Sequence, residues 1–170
     1  TSSHGKSLEN IRPGQTIALG MLDGELKMLK FERSPLEVIE YTLNKDGESF
    51  KSRIITREPE VEHTYVTATI SNSLFLAAAN AGMPESLIMN LANIFGWDID
   101  FVMDIREGDS FSLIYEEKHL GEEKVGHGNI LAATFTNQGK TYQAVYYQND
   151  DGSGDYYSPD GKSMRKSFLR

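Results

Sequence analysis

Residues 61–70, VEHTYVTATI, and residues 71–96, SNSLFLAAANAGMPESLIMNLANIFG, together decide the fold class. In the first stretch Val66, Ala68 and Ile70 alternate with Tyr65, Thr67 and Thr69, the period of two that marks a half-buried strand. In the second the period changes to that of a helix. Ser71 or Ser73 can cap a short helix that Gly82 stops. Pro84 opens another, with Leu87, Ile88, Leu91, Ile94 and Phe95 along one face and Gly96 at its end. Asp98 is placed to cap a third short helix carrying Phe101, Val102 and Ile105.

On the N-terminal side, residues 1–10 are polar and expected to fray. Pro13-Gly14 makes a turn, Asp23-Gly24 joins 17–22 to 26–31 as a hairpin, and Asn44-Lys45-Asp46-Gly47 separates strands at 36–43 and 49–56. Pro59, among acidic neighbours, marks the joint. On the C-terminal side, Glu107-Gly108-Asp109 leads into a strand at 110–116, and residues 120–124 read as a charged turn. A hairpin of 128–136 and 140–147 follows across Asn137-Gln138-Gly139, then a Gly/Asp loop at 149–154 and a type I turn at Ser158-Pro159-Asp160-Gly161. The fold class is therefore α+β and mainly β: about ten strands in antiparallel sheets, with a cluster of three short helices inserted around residues 71–105. The domain division falls at 1–58 and 59–170.

A formal charge of −8 argues against duplex nucleic acid and against an anionic membrane surface, both of which reward a basic face. With no cysteine, disulfide frameworks, cysteine zinc sites and thiol nucleophiles are excluded. No apolar run is long enough to span a bilayer.

Candidate chemistry is sparse. Of His4, His63, His119 and His127, only His119 and His127 are spaced to face each other across a hairpin, and two exposed loop histidines are the plainer reading. Neither HExxH nor HxH occurs, and no GxSxG elbow is present for a serine nucleophile. From Asn149 the loop places Asp151, Ser153, Gly154 and Asp160 near calcium-loop spacing, against the plainer reading of a Gly/Asp turn between strands. Glu116-Glu117 and Glu122-Glu123 lie in the most charged stretch and read as a solvated loop. Trp97 reads as a core plug. Tyr142, Tyr146, Tyr147, Tyr156 and Tyr157 lie on the last β segments near Arg165 and Lys166, where tyrosines either stack on sugar rings or simply fit a half-buried pleat. From its residues alone the chain is a binding or regulatory module: no catalytic, cofactor or metal residue is assigned.

Several segments carry a resemblance. They are Gly96-Trp97-Asp98-Ile99-Asp100-Phe101, Ile105-Arg106-Glu107-Gly108-Asp109-Ser110-Phe111, residues 128–139, Tyr156-Tyr157-Ser158-Pro159-Asp160-Gly161 and Arg165-Lys166-Ser167-Phe168-Leu169-Arg170. Their order and spacing resemble the non-catalytic region of Gram-negative LytM-type (lysostaphin-like) zinc metalloendopeptidases, the MepM-like murein endopeptidases. Residues 8–17, around Ile11-Arg12-Pro13-Gly14-Gln15, are similar to the closing half of a LysM-like domain, which a β-hairpin connector follows. The resemblance implies a hydrolase parent whose catalytic domain, holding zinc, follows the segment resembling Phe168-Leu169-Arg170. This chain carries none of those ligands. It implies cell-wall peptidoglycan and the parent's own catalytic domain as partners, with no nucleic acid and no membrane insertion within the chain. The implied location is the periplasm, with an inner-membrane anchor upstream left open. Regulation by covering the catalytic groove (autoinhibition) and positioning of substrate are both implied roles, and an independent peptidoglycan- or protein-binding module is the alternative. Tyr156, Tyr157, Arg165 and Lys166 are the expected wall or groove contacts.

Overall fold

The computed structural model describes residues 5–165, so Lys166 and the segment 166–170 lie outside the described residues, as does His4. Two compact units form: one holds the chain up to Glu60 together with Leu120–Val125, the other Val61–His119 and the chain from Gly126 onward.

In the N-terminal unit a 3-10 helix, Gly5–Asn10, precedes β1 (Thr16–Leu22), β2 (Glu25–Ser34), β3 (Glu37–Leu43) and β4 (Phe50–Thr56). The strands form an antiparallel meander in chain order. Asp23 and Gly24, at φ 51° and 79°, make the mirror-image two-residue turn that matches strand twist. The expectation that residues 1–10 fray is corrected in part, because Leu8 packs against the buried Phe31, Ile39 and Tyr41 and gives residues 5–10 a reason to order. Strand alternation puts Lys30, Glu40 and Arg53 side by side in register on the opposite face. There Arg53 Nε and Nη2 both lie 2.8 Å from Glu40 Oε1, and Lys30 Nζ lies 3.5 Å from Oε2.

The second unit is one five-stranded sheet with two helices. Its elements are β5 (Glu60–Thr69), α1 (Leu74–Asn80), α2 (Glu85–Phe95), β6 (Ser110–Leu120), β7 (Glu123–Asn137), β8 (Lys140–Gln148) and β9 (Gly154–Tyr157). The order is β5-β6-β7-β8-β9. Ser73 caps α1 by accepting Leu76 N–H at 3.2 Å, and Gly82 at φ 85° ends that segment. Leu87, Leu91, Ile94 and Phe95 of α2 pack with Phe111, Leu113, Tyr115, Ile130 and Phe135 of the sheet. Phe135 is the hub, with the rings of Phe101, Phe95 and Phe111 at 5.3, 5.9 and 6.3 Å.

The third helix is not formed. Asp100 Oδ1 accepts the N–H groups of Val102 and Met103 at 2.9 and 3.0 Å, and Asp104 Oδ2 accepts that of Asp100 at 3.0 Å. These local bonds close a single turn instead of letting the backbone propagate a helix. Trp97, beside it, is 42 % exposed rather than a core plug. The reading of the charged stretch as a solvated loop is corrected for Glu116-Glu117, while Glu122 lies in the β6–β7 turn and both it and Glu123 are exposed. β6 and β7 run through the stretch, Glu116 Oε2 accepts Asn129 N–H at 3.0 Å, and Glu117 Oε1 lies 2.9 Å from His119 Nε2.

The loop before β6 and the β7–β8 turn are tied by one carboxylate. Buried Asp109 accepts from Arg106 N–H at 2.8 Å, from Asn137 Nδ2 at 2.8 Å and from Gln138 N–H at 2.7 Å. Asn137 Nδ2 and Gln138 Nε2 also reach the Asp104 carbonyl, at 2.9 and 2.8 Å. The turn is two residues long, one shorter than the sequence implies, with Gln138 and Gly139 at φ 49° and 82°. Gln138 holds a conformation that favours glycine, and its N–H bond to Asp109 is what the turn returns for that strain.

Candidate functional site

Strands β8 and β9 carry the tyrosines, and their register decides which of them meet. Tyr146 pairs with Tyr156, and Val145 with Tyr157. Successive side chains in a strand point to opposite faces. Tyr146 and Tyr156, rings 5.4 Å apart, therefore share one face, while Tyr147 and Tyr157, 6.4 Å apart and edge-on, share the other. Gly154 makes room for this arrangement: a Cβ there would lie 2.0 Å from the Tyr146 phenol oxygen. The expected contacts Tyr156 and Tyr157 are thus separated, Arg165 is brought beside Tyr156, and Lys166 lies outside the described residues.

On the helix side, Tyr156 floors a hollow of about 210 Å³ walled by Asn90, Asn93 and Ile94 of α2, Asn129 of β7, and Met164 and Arg165. Arg165 Nε lies 3.4 Å from Asp155 Oδ1, which also accepts Tyr156 N–H at 2.9 Å. Burial pushes the Tyr156 phenol up to about 12; Tyr146, Asp155 and Glu116 add to the rise against an opposing backbone hydrogen bond from Ile130. Tyr156 is therefore a neutral, packed phenol at physiological pH.

The opposite face of the sheet is open. Tyr65, Ile114, Val145 and Tyr147 are 62 %, 40 %, 47 % and 59 % exposed. They border two shallow troughs of about 280 and 490 Å³, the first also lined by Thr134 and Gln143 and the second by Tyr157 and Pro159. No residue lining either trough is charged. Hydroxyl groups along this face bond one another: Ser112 Oγ donates to Thr67 Oγ1 at 2.9 Å and lies 3.2 Å from the Tyr65 hydroxyl. A neutral aromatic strip edged by hydroxyl and amide groups presents the apolar faces and polar rims that sugar rings complement.

The remaining candidates have structural partners. His127 Nδ1 lies 2.9 Å from the Gly128 carbonyl and Nε2 lies 2.6 Å from Ser86 Oγ. A carbonyl only accepts, so Nδ1 carries a proton, and in the neutral ring Ser86 donates to Nε2. That pair ties α2 to β7. His119 lies by Glu117 and, at 4.0 Å, Glu62, so the two histidines face different partners. In the loop after β8, Asp151 Oδ1 accepts Ser153 N–H and Oγ–H at 2.9 and 2.6 Å, and Asn149 Nδ2 donates to Ser153 Oγ at 3.0 Å. Gly154 begins β9, and Asp160 pairs with Lys162 at 2.8 Å in the next turn. Among the described residues no group of three or more histidine, aspartate or glutamate side chains is placed to hold a metal.

The Asn90, Asn93 and Asn129 wall escaped the sequence reading. Asparagines three apart on an exposed helix face were visible, but their partner on β7 was not. The model of the Csd3 second domain matches residues 58–170. Over 164 residues the chain is 41 % identical to the peptidoglycan DD-endopeptidase ShyC of Vibrio cholerae, covering 96 % of this chain and 37 % of ShyC. A crystal structure of a zinc-containing peptidase from Vibrio cholerae superposes with a TM-score of 0.72 at 27 % identity, over 96 % of this chain and 49 % of that one. Csd3 of Helicobacter pylori, in its hexagonal crystal, gives 0.60 at 16 % identity, over 85 % of this chain and 38 % of Csd3, which speaks to fold alone. The chain thus spans little more than a third of the curated relative's length.

Proposed function

Because the chain belongs to the family of the Csd3 second domain, we propose that it is a non-catalytic, substrate-positioning region of a peptidoglycan endopeptidase that works in the cell envelope on the periplasmic side. The reading is supported by the match to a peptidoglycan DD-endopeptidase across nearly the whole chain. The observation that carries it is the open, uncharged face with Tyr65, Tyr147 and Tyr157. Zinc and peptide-bond hydrolysis are assigned to a domain of the parent beyond this chain. The N-terminal unit is read as the closing half of a LysM-like domain with its connector.

Retention on insoluble peptidoglycan sacculi tests the proposal. The chain is expected to co-sediment, and Tyr147→Ala combined with Tyr157→Ala to lower retention about tenfold, since an aromatic contact is worth about 1 kcal/mol or more. Unchanged retention in the double variant, or hydrolysis of sacculi by this chain that a chelator abolishes, would overturn it. The same apolar strip also fits a protein surface, which favours a second reading: a cover over the parent's catalytic groove. In the full-length enzyme the double variant raises activity if the strip is a cover and lowers it if the strip positions substrate.

A further inference from the structure

The hollow floored by Tyr156 has a composition unlike the open face. Three of its walls are carboxamides: Asn90 and Asn93, adjacent on α2 by their spacing of three, and Asn129 on β7. Each carboxamide offers two N–H donors and one carbonyl acceptor. None of the three side-chain amides bonds to another described residue, in contrast to Asn137 at the far end of β7, whose Nδ2 donates to both the Asp104 carbonyl and Asp109. Asn90, Asn93 and Asn129 are exposed and meet around one concavity. Among the described residues lining it, the one cation and one anion, Arg165 and Asp155, pair with each other. Ile94, Met164 and the Tyr156 ring supply an apolar floor.

Convergent amides around an apolar floor, with the described rim charges paired, match a ligand that both donates and accepts through one planar group and carries a small methyl beside it. We infer that this hollow is a recognition site for secondary amides, the CO–NH group of a short peptide or of an N-acetylated sugar. In it Asn90 and Asn93 pair with the amide and Asn129 closes the third side. At about 210 Å³ it is smaller than the roughly 300–1,000 Å³ of pockets that enclose drug-sized ligands, so it takes one or two units rather than a chain. The inference rests on these residues alone, not on the role of the open sheet face. Failure of either leaves the other standing.

The test is an NMR titration of the 15N-labelled protein, following the side-chain NH2 resonances of Asn90, Asn93 and Asn129. The probes are N-acetylalanine methylamide, N-acetylglucosamine and, as a control without an amide, glucose. At least one amide probe is expected to shift these resonances saturably while glucose does not. Response to the methylamide alone identifies a peptide as the source, and response to the acetylated sugar alone identifies the glycan. Asn90→Ala with Asn93→Ala should weaken binding about tenfold or more, two neutral hydrogen bonds at about 1 kcal/mol each. Both positions are exposed on a helix that alanine favours, so the variant keeps its fold. The inference is overturned if neither amide probe saturates the shifts, if glucose matches them, or if the double variant binds equally well.

Discussion

Replacing Asp109 by alanine removes the acceptor that joins the 104–109 loop to the β7–β8 turn. Three donors lose a charged partner: Arg106 N–H, Gln138 N–H and Asn137 Nδ2. A hydrogen bond to a charged group contributes about 1.5–3 kcal/mol taken alone. Asn137 keeps its bond to the Asp104 carbonyl, and the two main-chain donors are only part-buried, so water recovers some of the loss. The net cost expected is about 3–4 kcal/mol, a large share of the roughly 5–15 kcal/mol that holds a domain together. Urea unfolding followed by the fluorescence of Trp97 is the assay, because this single tryptophan lies in the second unit and reports on that unit. The midpoint should fall by about 2 M with little change in slope. Asp109→Asn keeps one acceptor and should cost about 2 kcal/mol. Burial raises the carboxyl, but the bonds from Gln138, Arg106 and Asn137 and the charge of Arg106 prevail and hold it below the usual range. With the folded value depressed, the ionised group's stabilisation is complete above the ordinary carboxylate pKa of about 3.9 and is lost as pH falls through the folded value. The gap between wild type and Asp109→Asn should therefore be constant from neutral pH to about pH 5 and close in stronger acid. A cost below about 1 kcal/mol for Asp109→Ala, or a gap that fails to narrow in acid, would refute the reasoning.

Phe135→Ala, which empties the hub contacted by Phe95, Phe101 and Phe111, should cost about 3–5 kcal/mol by the same fluorescence assay. In the N-terminal unit, Glu40→Ala leaves Lys30 and Arg53 without their shared partner, but the two cations are 45 % and 70 % exposed. The expected loss is about 1 kcal/mol, shrinking in 0.5 M salt by roughly half, as circular dichroism on chemical unfolding would show. Ultraviolet titration of the tyrosines should contain one component near 12 that Tyr156→Phe removes. Its raised folded value means that its contribution to stability is full below pH 10 and lost as pH rises through about 12.

Strong periodicity was legible and survives in the structure. The alternation at 61–70 is β5, and Pro84 and Gly96 bracket α2 with the expected apolar face buried. Misreadings arose where side chains compete with the backbone. Asp98 reads as the cap of a third helix in sequence, yet Asp100 bonds to residues two and three ahead and closes only a turn. In the charged run 116–124 Glu116 is bound across the sheet to Asn129, and no local pattern reveals such a partner. Adjacent tyrosines illustrate the reverse case. That Tyr156 and Tyr157 face opposite ways follows from the period of a strand, but which of them is covered depends on α2, some sixty residues earlier. Two segments that carried the resemblance, 105–111 and 128–139, meet at Asp109, so part of what looked like a functional signature holds the loops that frame the sheet.

The polar groups of the second unit divide into those engaged within the protein and those lining its two faces. A general base or a nucleophile needs a partner that orients it and a vacant position for substrate. Several acidic and imidazole groups of the second unit are bound to the protein itself: Asp109 to three donors, Glu116 to the chain at Asn129, Glu117 to His119, His127 to Ser86 and the Gly128 carbonyl. The groups that line the open face and the Tyr156 hollow are of another kind, phenol rings and carboxamides, which recognise shape and hydrogen-bond pattern. They divide between two faces because β8 and β9 alternate, so single substitutions can address them separately. Tyr157→Ala alters the open strip and leaves the Tyr156 hollow intact, whereas Asn93→Ala does the opposite. If both reduced retention on sacculi and their effects added in the double variant, the two faces would be independent contacts on one wall. Effects that fail to add would place both faces on a single bound ligand or on one coupled conformational change.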